Sequence, residues 1–203
     1  MIVTEMIPLT KNRYKIYIDN EFAFVLYKGE LHIYQIDVGN EVSIENFEEI
    51  VTKLLPKRAK MRAMNLLQKR TYTEKQLTDK LRDGFYPEDV IEDAINYVKS
   101  FRYIDDLRYA VDYITYYGTA KPMAKLREDL MRRGIRKETF EAARLEWERV
   151  DGTVDEAEMV KQLLDKKGYS EEMDIKEKRR IYAYLVRKGF SSDTITRAMK
   201  NLT

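Results

Sequence analysis

The feature that most constrains the fold of this chain is a pattern of apolar residues that occurs three times between residues 57 and 203. Each copy is anchored on one leucine, which is Leu81, Leu130 or Leu185. Apolar or small residues recur four positions before the anchor and ten, thirteen and seventeen after it: Leu77, Leu126 and Ile181; Ile91, Phe140 and Ile195; Ala94, Ala143 and Ala198; Val98, Trp147 and Leu202. Such self-similarity is typical of tandem structural repeats, which bury a shared core by stacking on their neighbours.

Within each copy the pattern predicts three helices. The anchor leucine and its partner four residues earlier lie on one face of the middle helix. A glycine near the end of that helix, which is Gly84, Gly134 or Gly189, supplies the left-handed residue that stops it. Gly84 stands one position earlier than the other two, so we expect a different turn in the first copy. The predicted helices cover residues 57–70, 73–83, 87–100, 105–117, 121–133, 136–149, 155–167, 174–188 and 192–201.

The N-terminal part of the chain has a different period. Apolar and polar residues alternate over 14–19 and 31–36, an apolar run covers 22–26, and turn-forming residues separate these runs. Alternation with a period of two predicts β-strands, so we expect a three-stranded meander whose apolar face is covered by the following helices. Helical spacing begins after Ser43 and is interrupted at Pro56.

The sequence therefore predicts a mainly α protein. We expect tandem three-helix repeats, in three copies, in an elongated and curved array preceded by a small N-terminal β-meander. The expected segments are a strand extension, a connecting helix and helical repeats 1, 2 and 3, at 1–42, 43–56, 57–102, 103–150 and 151–203. Residues 150–153 form the expected joint between repeats two and three. Because each repeat already buries its neighbour, we expect a monomer.

Composition argues against several classes of function. The chain has no cysteine, which excludes disulfides and thiolate metal sites and favours a reducing cytoplasm. Its single histidine, His32, has no metal-ligand partner nearby, so we interpret it as a strand residue without a ligand role. No nucleotide-binding glycine loop, zinc-protease motif or serine-nucleophile motif is present, and no apolar run has the length of a membrane span. We therefore expect no enzymatic activity, no cofactor, no metal and no membrane partner.

Three other features invite a functional interpretation. We interpret Asp105 and Asp106 as the N-terminal cap of a helix, with ion binding as the alternative. Five tyrosines cluster in the middle of the chain: Tyr103, Tyr109, Tyr113, Tyr116 and Tyr117. We interpret them as packing residues, with base stacking or a protein-binding hot spot as alternatives. Trp147 occupies a core position of the repeat, so we interpret it as structural.

The positive charge of the chain belongs to the repeats. Residues 1–56 contain 5 basic and 9 acidic residues, which leaves 32 of the 37 basic and 26 of the 35 acidic residues for the rest. Repeats two and three share basic residues at equivalent positions, where the first repeat has Gln76 and Asp83 at two of them. These six residues, which we call the basic stripe, form the pairs Lys125 and Arg180, Arg132 and Arg187, and Arg133 and Lys188. A solvated helix face would explain them, but their recurrence also favours an anionic partner that lies along the stacked repeats.

Four segments of the repeats are distinctive in sequence. They lie at 63–67 with 70–77, at 101–110 (FRYIDDLRYA), at 118–122 with 126–130 and 133–135, and at 178–180 with 187–190. In this order they resemble the RecX family of recombination regulators, and the strand-rich start is similar to the N-terminal extension of some Gram-positive members. The chain departs from the family pattern at 83–87, where the family has a basic residue before the glycine. It also departs at Arg102, which stands in place of a usual glycine.

This resemblance implies a partner. Members of the RecX family bind the RecA recombinase filament along its groove, limit its growth and suppress its ATPase, strand exchange and repressor cleavage. These activities belong to DNA recombination, DNA repair and the SOS response, and DNA binding also occurs in the family. The resemblance thus implies a regulatory protein that binds the RecA filament, with single- or double-stranded DNA as a further candidate partner. The expected partner-binding residues are Lys125, Arg127, Arg132, Arg133, Arg180, Tyr184, Arg187 and Lys188.

Two other classes of function stay open on the sequence alone. A nucleic-acid-binding module that acts without the recombinase would use the same basic residues on phosphates, and its affinity would fall steeply with salt. A helical-repeat adaptor for another protein is indicated by the apolar, tyrosine-rich second repeat. An enzyme is the least expected class, because no nucleophile, base or cofactor loop can be named.

Overall fold

The described part of the chain, residues 1–150 and 155–200 of a computed structural model, divides after Ile104 into two units. The first unit contains the strands and the first helical repeat, and the second contains the other two repeats. Most of the predicted joint at 150–153, and the repeat position Leu202, lie outside the described residues. The predicted mainly α fold with an N-terminal three-stranded sheet is confirmed.

The first unit begins with an antiparallel sheet in the order β1, β2, β3 (Val3–Thr10, Arg13–Ile18 and Glu21–Tyr27). Ile16 and Phe24 pair across β2 and β3, and both are fully buried. They belong to the same apolar core as Leu55, Leu77 and other residues of the following helices. Helices thus cover one face of the sheet, which confirms the prediction.

One predicted strand is wrong. Residues 31–36 begin inside a short helix, α1 (Lys28–Ile33), and the missing strand of the sheet is β1 at the N-terminus. The side chain of Glu30 accepts a hydrogen bond from the backbone N–H of Tyr27 at 2.7 Å, which caps α1 and outweighs the alternating pattern. His32 therefore lies in the last turn of a helix, exposed, and the absence of a ligand role stays a prediction.

Helices complete the first unit. Helix α2 (Ile44–Glu49) continues through a π-helical segment (Ile50–Leu54) into α3 (Leu55–Leu67), followed by α4 (Glu74–Arg82) and α5 (Glu88–Ser100). Pro56 lies in the first turn of α3, directly after the π-helical segment, and this irregular segment takes up the interruption predicted at the proline. A capping box begins α4: the Oγ1 of Thr73 accepts from the backbone N–H of Gln76 at 3.2 Å, and the Oε1 of Gln76 accepts from the backbone N–H of Thr73 at 3.3 Å.

The six helices of the second unit form two sets of three, and each set repeats the packing of α3, α4 and α5. They are α6 (Asp106–Tyr117), α7 (Met123–Arg132), α8 (Lys137–Val150), α9 (Glu156–Lys166), α10 (Ile175–Lys188) and α11 (Ser192–Lys200). In each triplet the first and third helices make the most extensive contact. The alanine thirteen positions after each anchor is buried, as this close approach requires. None of the helices in the described ranges has the length and apolar content needed to cross a membrane.

The turn after the middle helix confirms the expected difference between copies. Gly134 and Gly189, four positions after their anchors, have left-handed φ angles of 92° and 100°. In the first repeat the residue at that position is Phe85, with a φ of 65°, and Gly84 is not left-handed. A Cβ at Gly84 would lie 2.9 Å from the carbonyl oxygen of Leu81 and from the Tyr86 ring, so glycine serves close packing there.

Candidate functional site

The basic residues of the second repeat largely pair with acidic residues on the same helix. On α7, Lys125 donates to Glu128 at 2.7 Å, and Arg132 donates to Glu128 at 2.8 Å and to Asp129 at 3.1 Å. The hydrogen bond from Lys125 holds the pKa of Glu128 below its ordinary value. Much of the positive charge predicted for this stretch of the stripe is therefore neutralised within α7.

Asp129 is the centre of this network. Its carboxylate accepts from Lys121 at 2.7 Å, and the hydroxyl of Tyr113 lies 3.3 Å away. Partial burial acts to raise the pKa of Asp129, but the hydrogen bond and charge of Lys121, with the charge of Lys125, outweigh it and lower the pKa. The same hydrogen bond raises the pKa of Lys121. The cluster ties the loop before α7 to α6 and α7.

Arg133 is held by packing contacts inside the second repeat. Its guanidinium donates to the hydroxyl of Tyr109 at 2.9 Å and lies 4.9 Å from the centre of the Tyr113 ring. Cation–π contact and a hydrogen bond together give this arginine a structural role in the repeat. Arg127, by contrast, is exposed on α7 and makes no ion pair with any residue of the described ranges.

The equivalent residues of the third repeat are exposed and unneutralised. Arg180 and Arg187 lie two turns apart on α10, and no carboxylate within residues 1–150 and 155–200 forms an ion pair with either. Tyr184 lies between them in sequence and packs against the core of the third repeat. The ammonium groups of Lys167 and Lys188 lie 4.9 and 5.4 Å from the centre of its ring. Unpaired cations on α10 thus contrast with paired ones on α7.

A groove of about 530 Å³ lies between the second and third repeats. The cationic residues that line it are Lys121, Lys125, Lys166, Arg187 and Lys188. The apolar residues that line it are Ala120, Pro122, Met159, Leu163 and Phe190. No acidic residue of the described ranges is part of this lining. A groove lined by both apolar and cationic residues is suited to a ligand that is anionic and partly apolar.

Two contacts between the repeats hold the groove in shape. The backbone N–H of Met123, at the start of α7, donates to Glu156 at the start of α9 over 2.9 Å. At the end of α10, a Cβ on Gly189 would lie 3.2 Å from the Cβ of Lys125. Glycine therefore allows the end of one repeat to approach the beginning of a helix in the other.

The structure brings together only part of the predicted stripe. Lys125, Arg187 and Lys188 line the groove, whereas the other predicted partner-binding residues do not: Arg127, Arg132, Arg133, Arg180 and Tyr184. Lys121 and Lys166 also line it, and neither was predicted from the sequence. They come from the loop before α7 and the end of α9, so a comparison restricted to the middle helix of each repeat could not find them.

Most of the remaining sequence candidates have structural roles. Asp105 caps α6, because its side chain accepts from the backbone N–H of Arg108 at 3.0 Å. Tyr113 is buried, and Tyr109 and Tyr117 pack against the same core as Trp147, which confirms the packing interpretation for these residues. Tyr103 and Tyr116 are exposed instead.

Comparison with known proteins agrees with this architecture. Residues 59–97 match the first three-helix domain of RecX, and residues 154–199 match the third. Regulatory protein RecX of Caldanaerobacter subterraneus subsp. tengcongensis is 29% identical over 205 residues, which cover 100% of both chains. Regulatory protein RecX of Clostridioides difficile is 28% identical, over 99% of this chain and 95% of that protein.

Two crystal structures share the fold. One, of regulatory protein RecX, superimposes with a TM-score of 0.62 at 24% identity, over 97% of this chain and 98% of that one. The other, of RecX from Lactobacillus salivarius, has a TM-score of 0.59 at 23% identity, over 73% and 96%. These two structures show the shared fold, and the two domain matches with the similarity along the whole length of the relatives support membership of the RecX family.

Proposed function

We propose that this protein binds the filament of the RecA recombinase and inhibits its assembly, its ATPase and its strand exchange. Inhibition arises from stoichiometric binding, without catalysis and without a cofactor. Family membership supports the proposal, since the relatives are named regulatory proteins. We further propose a cytoplasmic monomer with the five segments 1–42, 43–56, 57–102, 103–150 and 151–203, and with the predicted basic stripe as the contact surface.

The observation that carries the proposal is the unpaired cationic surface of α10. Arg180 and Arg187 stand at positions equivalent to Lys125 and Arg132 of α7, yet within the described ranges they lack the carboxylate partners that the α7 residues have. Exposed cations contribute little to folding stability. Their charge is available to a large anionic assembly, where complementary charge speeds association and sets orientation.

The test is the ATPase of RecA on single-stranded DNA, titrated with this protein at two salt concentrations. We expect inhibition by the wild type, and an inhibitory concentration raised at least about tenfold by the double variant Arg180→Glu, Arg187→Glu. Lys161→Glu is the matched control, because this exposed lysine lies on α9 and outside the groove. Absence of inhibition by the wild type protein, with the recombinase of the same organism, would refute the proposal.

The titration also distinguishes two modes of action. Inhibition at a small fraction of one molecule per recombinase monomer indicates that filament ends are blocked. Inhibition that requires near-equimolar protein indicates that the filament groove is coated.

DNA binding without the recombinase is the second candidate function. The two exposed guanidinium groups of Arg180 and Arg187 on α10 can contact phosphates. The exposed rings of Phe101 and Tyr103 stack on each other, with their centres 5.6 Å apart, and aromatic rings of this kind can stack on bases. This function predicts tight binding to an oligonucleotide that weakens steeply with salt, together with no binding to RecA. Weak oligonucleotide binding at physiological salt would refute it.

A further inference from the structure

We propose that the groove between the second and third repeats binds a short acidic peptide segment of the partner protein. Carboxylates of the segment contact the cationic side chains, and one aliphatic side chain packs against Met159 and Leu163. The inference rests on the proposed function in one respect: it takes the partner to be a protein and names the chemistry of the segment that this partner offers.

The charge of the groove favours an anionic ligand. Three of the residues that line it, Lys166, Arg187 and Lys188, form no ion pair with any residue in the described ranges. Grouping like charges is unfavourable unless an anion is present, and a cleft lined by one sign of charge concentrates ions of the opposite sign. Lys121 and Lys125 already pair with acidic residues of α7, so the three unpaired cations are those that gain most from a new carboxylate.

The apolar lining favours a peptide over a nucleic acid. Met159 and Leu163 are only partly buried and lie beside the buried Phe190 and Pro122. A phosphate backbone would use the cations but leave this aliphatic surface uncovered. A base would find no ring to stack on, because Phe190 is 5% exposed. An acidic peptide with a leucine or isoleucine satisfies both the cations and the apolar surface, so the lining favours a peptide over a nucleic acid.

The size and rigidity of the groove suit a short peptide segment. A volume of about 530 Å³ lies within the range of clefts that hold compact ligands. The hydrogen bond from Met123 to Glu156 and the close approach of Gly189 to Lys125 hold the two sides of the groove in place. A site formed before binding loses less entropy when the ligand arrives, which allows a short segment to bind measurably.

The experiment uses the full chain with its methionine methyl groups labelled for NMR, and the Met159 signal is assigned with Met159→Leu. The probe is a short peptide of aspartate and glutamate residues with two central leucines. One control peptide has serines in place of the leucines, and another has asparagine and glutamine in place of the acids. We expect the acidic leucine peptide to shift the Met159 methyl signal, and both control peptides to bind at least about tenfold more weakly.

Matched variants locate the site. The double variant Lys166→Glu, Arg187→Glu should weaken the acidic leucine peptide at least about tenfold. Lys161→Glu reverses the same charge on the same helix as Lys166 but outside the groove, so it should leave the affinity unchanged. An equal loss in Lys161→Glu would mean that the peptide responds only to overall charge, which overturns the inference.

Other outcomes also overturn it. An unshifted Met159 signal at saturating peptide excludes this groove as the site. Displacement of the peptide by oligothymidylate at lower concentration, with a shift of the same methyl signal, would identify nucleic acid as the occupant. Failure here and failure of the proposed function are separable, because the RecA ATPase is measured independently. Filament inhibition without peptide binding refutes only the groove assignment, and peptide binding without inhibition refutes only the proposed function.

Discussion

Phe85 and Arg102 have left-handed backbone, with φ angles of 65° and 56°, just after helices α4 and α5. This conformation costs a non-glycine residue about 1 kcal/mol or more. Arg102 stands where the resemblance implies a glycine, and no described side-chain contact offsets the strain. We therefore expect Arg102→Gly to raise the free energy of unfolding by about 0.5–1 kcal/mol in urea titration.

Phe85→Gly is the matched control, because Phe85 has the same backbone conformation but also side-chain contacts. The ammonium of Lys15 lies 4.2 Å from the centre of its ring, and the Phe22 ring is 6.3 Å away. Loss of these contacts should cancel the gain from glycine. A stabilising Phe85→Gly together with a destabilising Arg102→Gly would contradict this explanation.

Asp129 is expected to make the free energy of unfolding depend on pH in the acidic range. Its pKa is lowered in the folded state, so its contribution is fully present above the unfolded carboxylate pKa of about 3.9. The contribution is lost as the pH falls through the lower folded-state pKa. The wild type should therefore be more stable than Asp129→Asn at neutral pH, and the difference should shrink on acidification. Urea titrations at several pH values measure this difference in the free energy of unfolding. A difference that does not change with pH would refute the role given to Asp129.

At the scale of elements, Arg58 joins the sheet to the first repeat. From α3 it donates to Glu30 of α1 and to the carbonyl oxygen of Val25 in β3, each at 2.6 Å. The paired side chains are only 15% and 16% exposed. Arg58→Met leaves Glu30 uncompensated and should lower the free energy of unfolding by about 2–3 kcal/mol.

Two variants test this explanation by urea titration. Adding Glu30→Gln to Arg58→Met removes the orphaned charge while keeping an acceptor for the Tyr27 N–H, so it should recover part of the loss. Lys57→Met, an exposed neighbour on α3, should have little effect. A loss in Lys57→Met as large as in Arg58→Met would rule out a specific role for the ion pair.

Gly189 tests the contact between the second and third repeats. An alanine there adopts a φ of 100° with difficulty, and its Cβ would lie 3.2 Å from the Cβ of Lys125. Gly168 is also left-handed, but a Cβ there meets nothing within 4 Å. We expect Gly168→Ala to cost about 1 kcal/mol and Gly189→Ala about 2 kcal/mol in thermal or urea unfolding. Equal losses would show that the contact with Lys125 adds nothing.

The elements that could be predicted are those decided by local spacing. The anchors Leu81, Leu130 and Leu185 are all fully buried, because helical periodicity alone determines which face a helix turns inward. The strand at 31–36 was mispredicted because Glu30 caps a helix there and pairs with Arg58, a tertiary contact distant in sequence. Strand β1 was missed because it contains Pro8, which an edge strand tolerates.

For the molecule as a whole, the sequence predicts which helices carry basic residues, but not which of these residues pair with carboxylates. The spacing of Lys125, Glu128 and Arg132 is compatible with ion pairs along α7, and the structure contains them. The groove depends instead on residues from separate helices of two repeats, such as Lys166 and Lys188. No periodicity within one helix brings these side chains together, so only the tertiary structure could reveal the groove.

Binding of the fluorescently labelled protein to preformed RecA filaments on single-stranded DNA tests the central claim most directly. Fluorescence anisotropy is compared with that on the same DNA without recombinase, at physiological salt. We predict saturable binding to the filament and much weaker binding to bare DNA, with filament affinity reduced at least about tenfold by Arg180→Glu with Arg187→Glu. Equal affinity for filament and bare DNA, or no binding to the filament, would contradict the account.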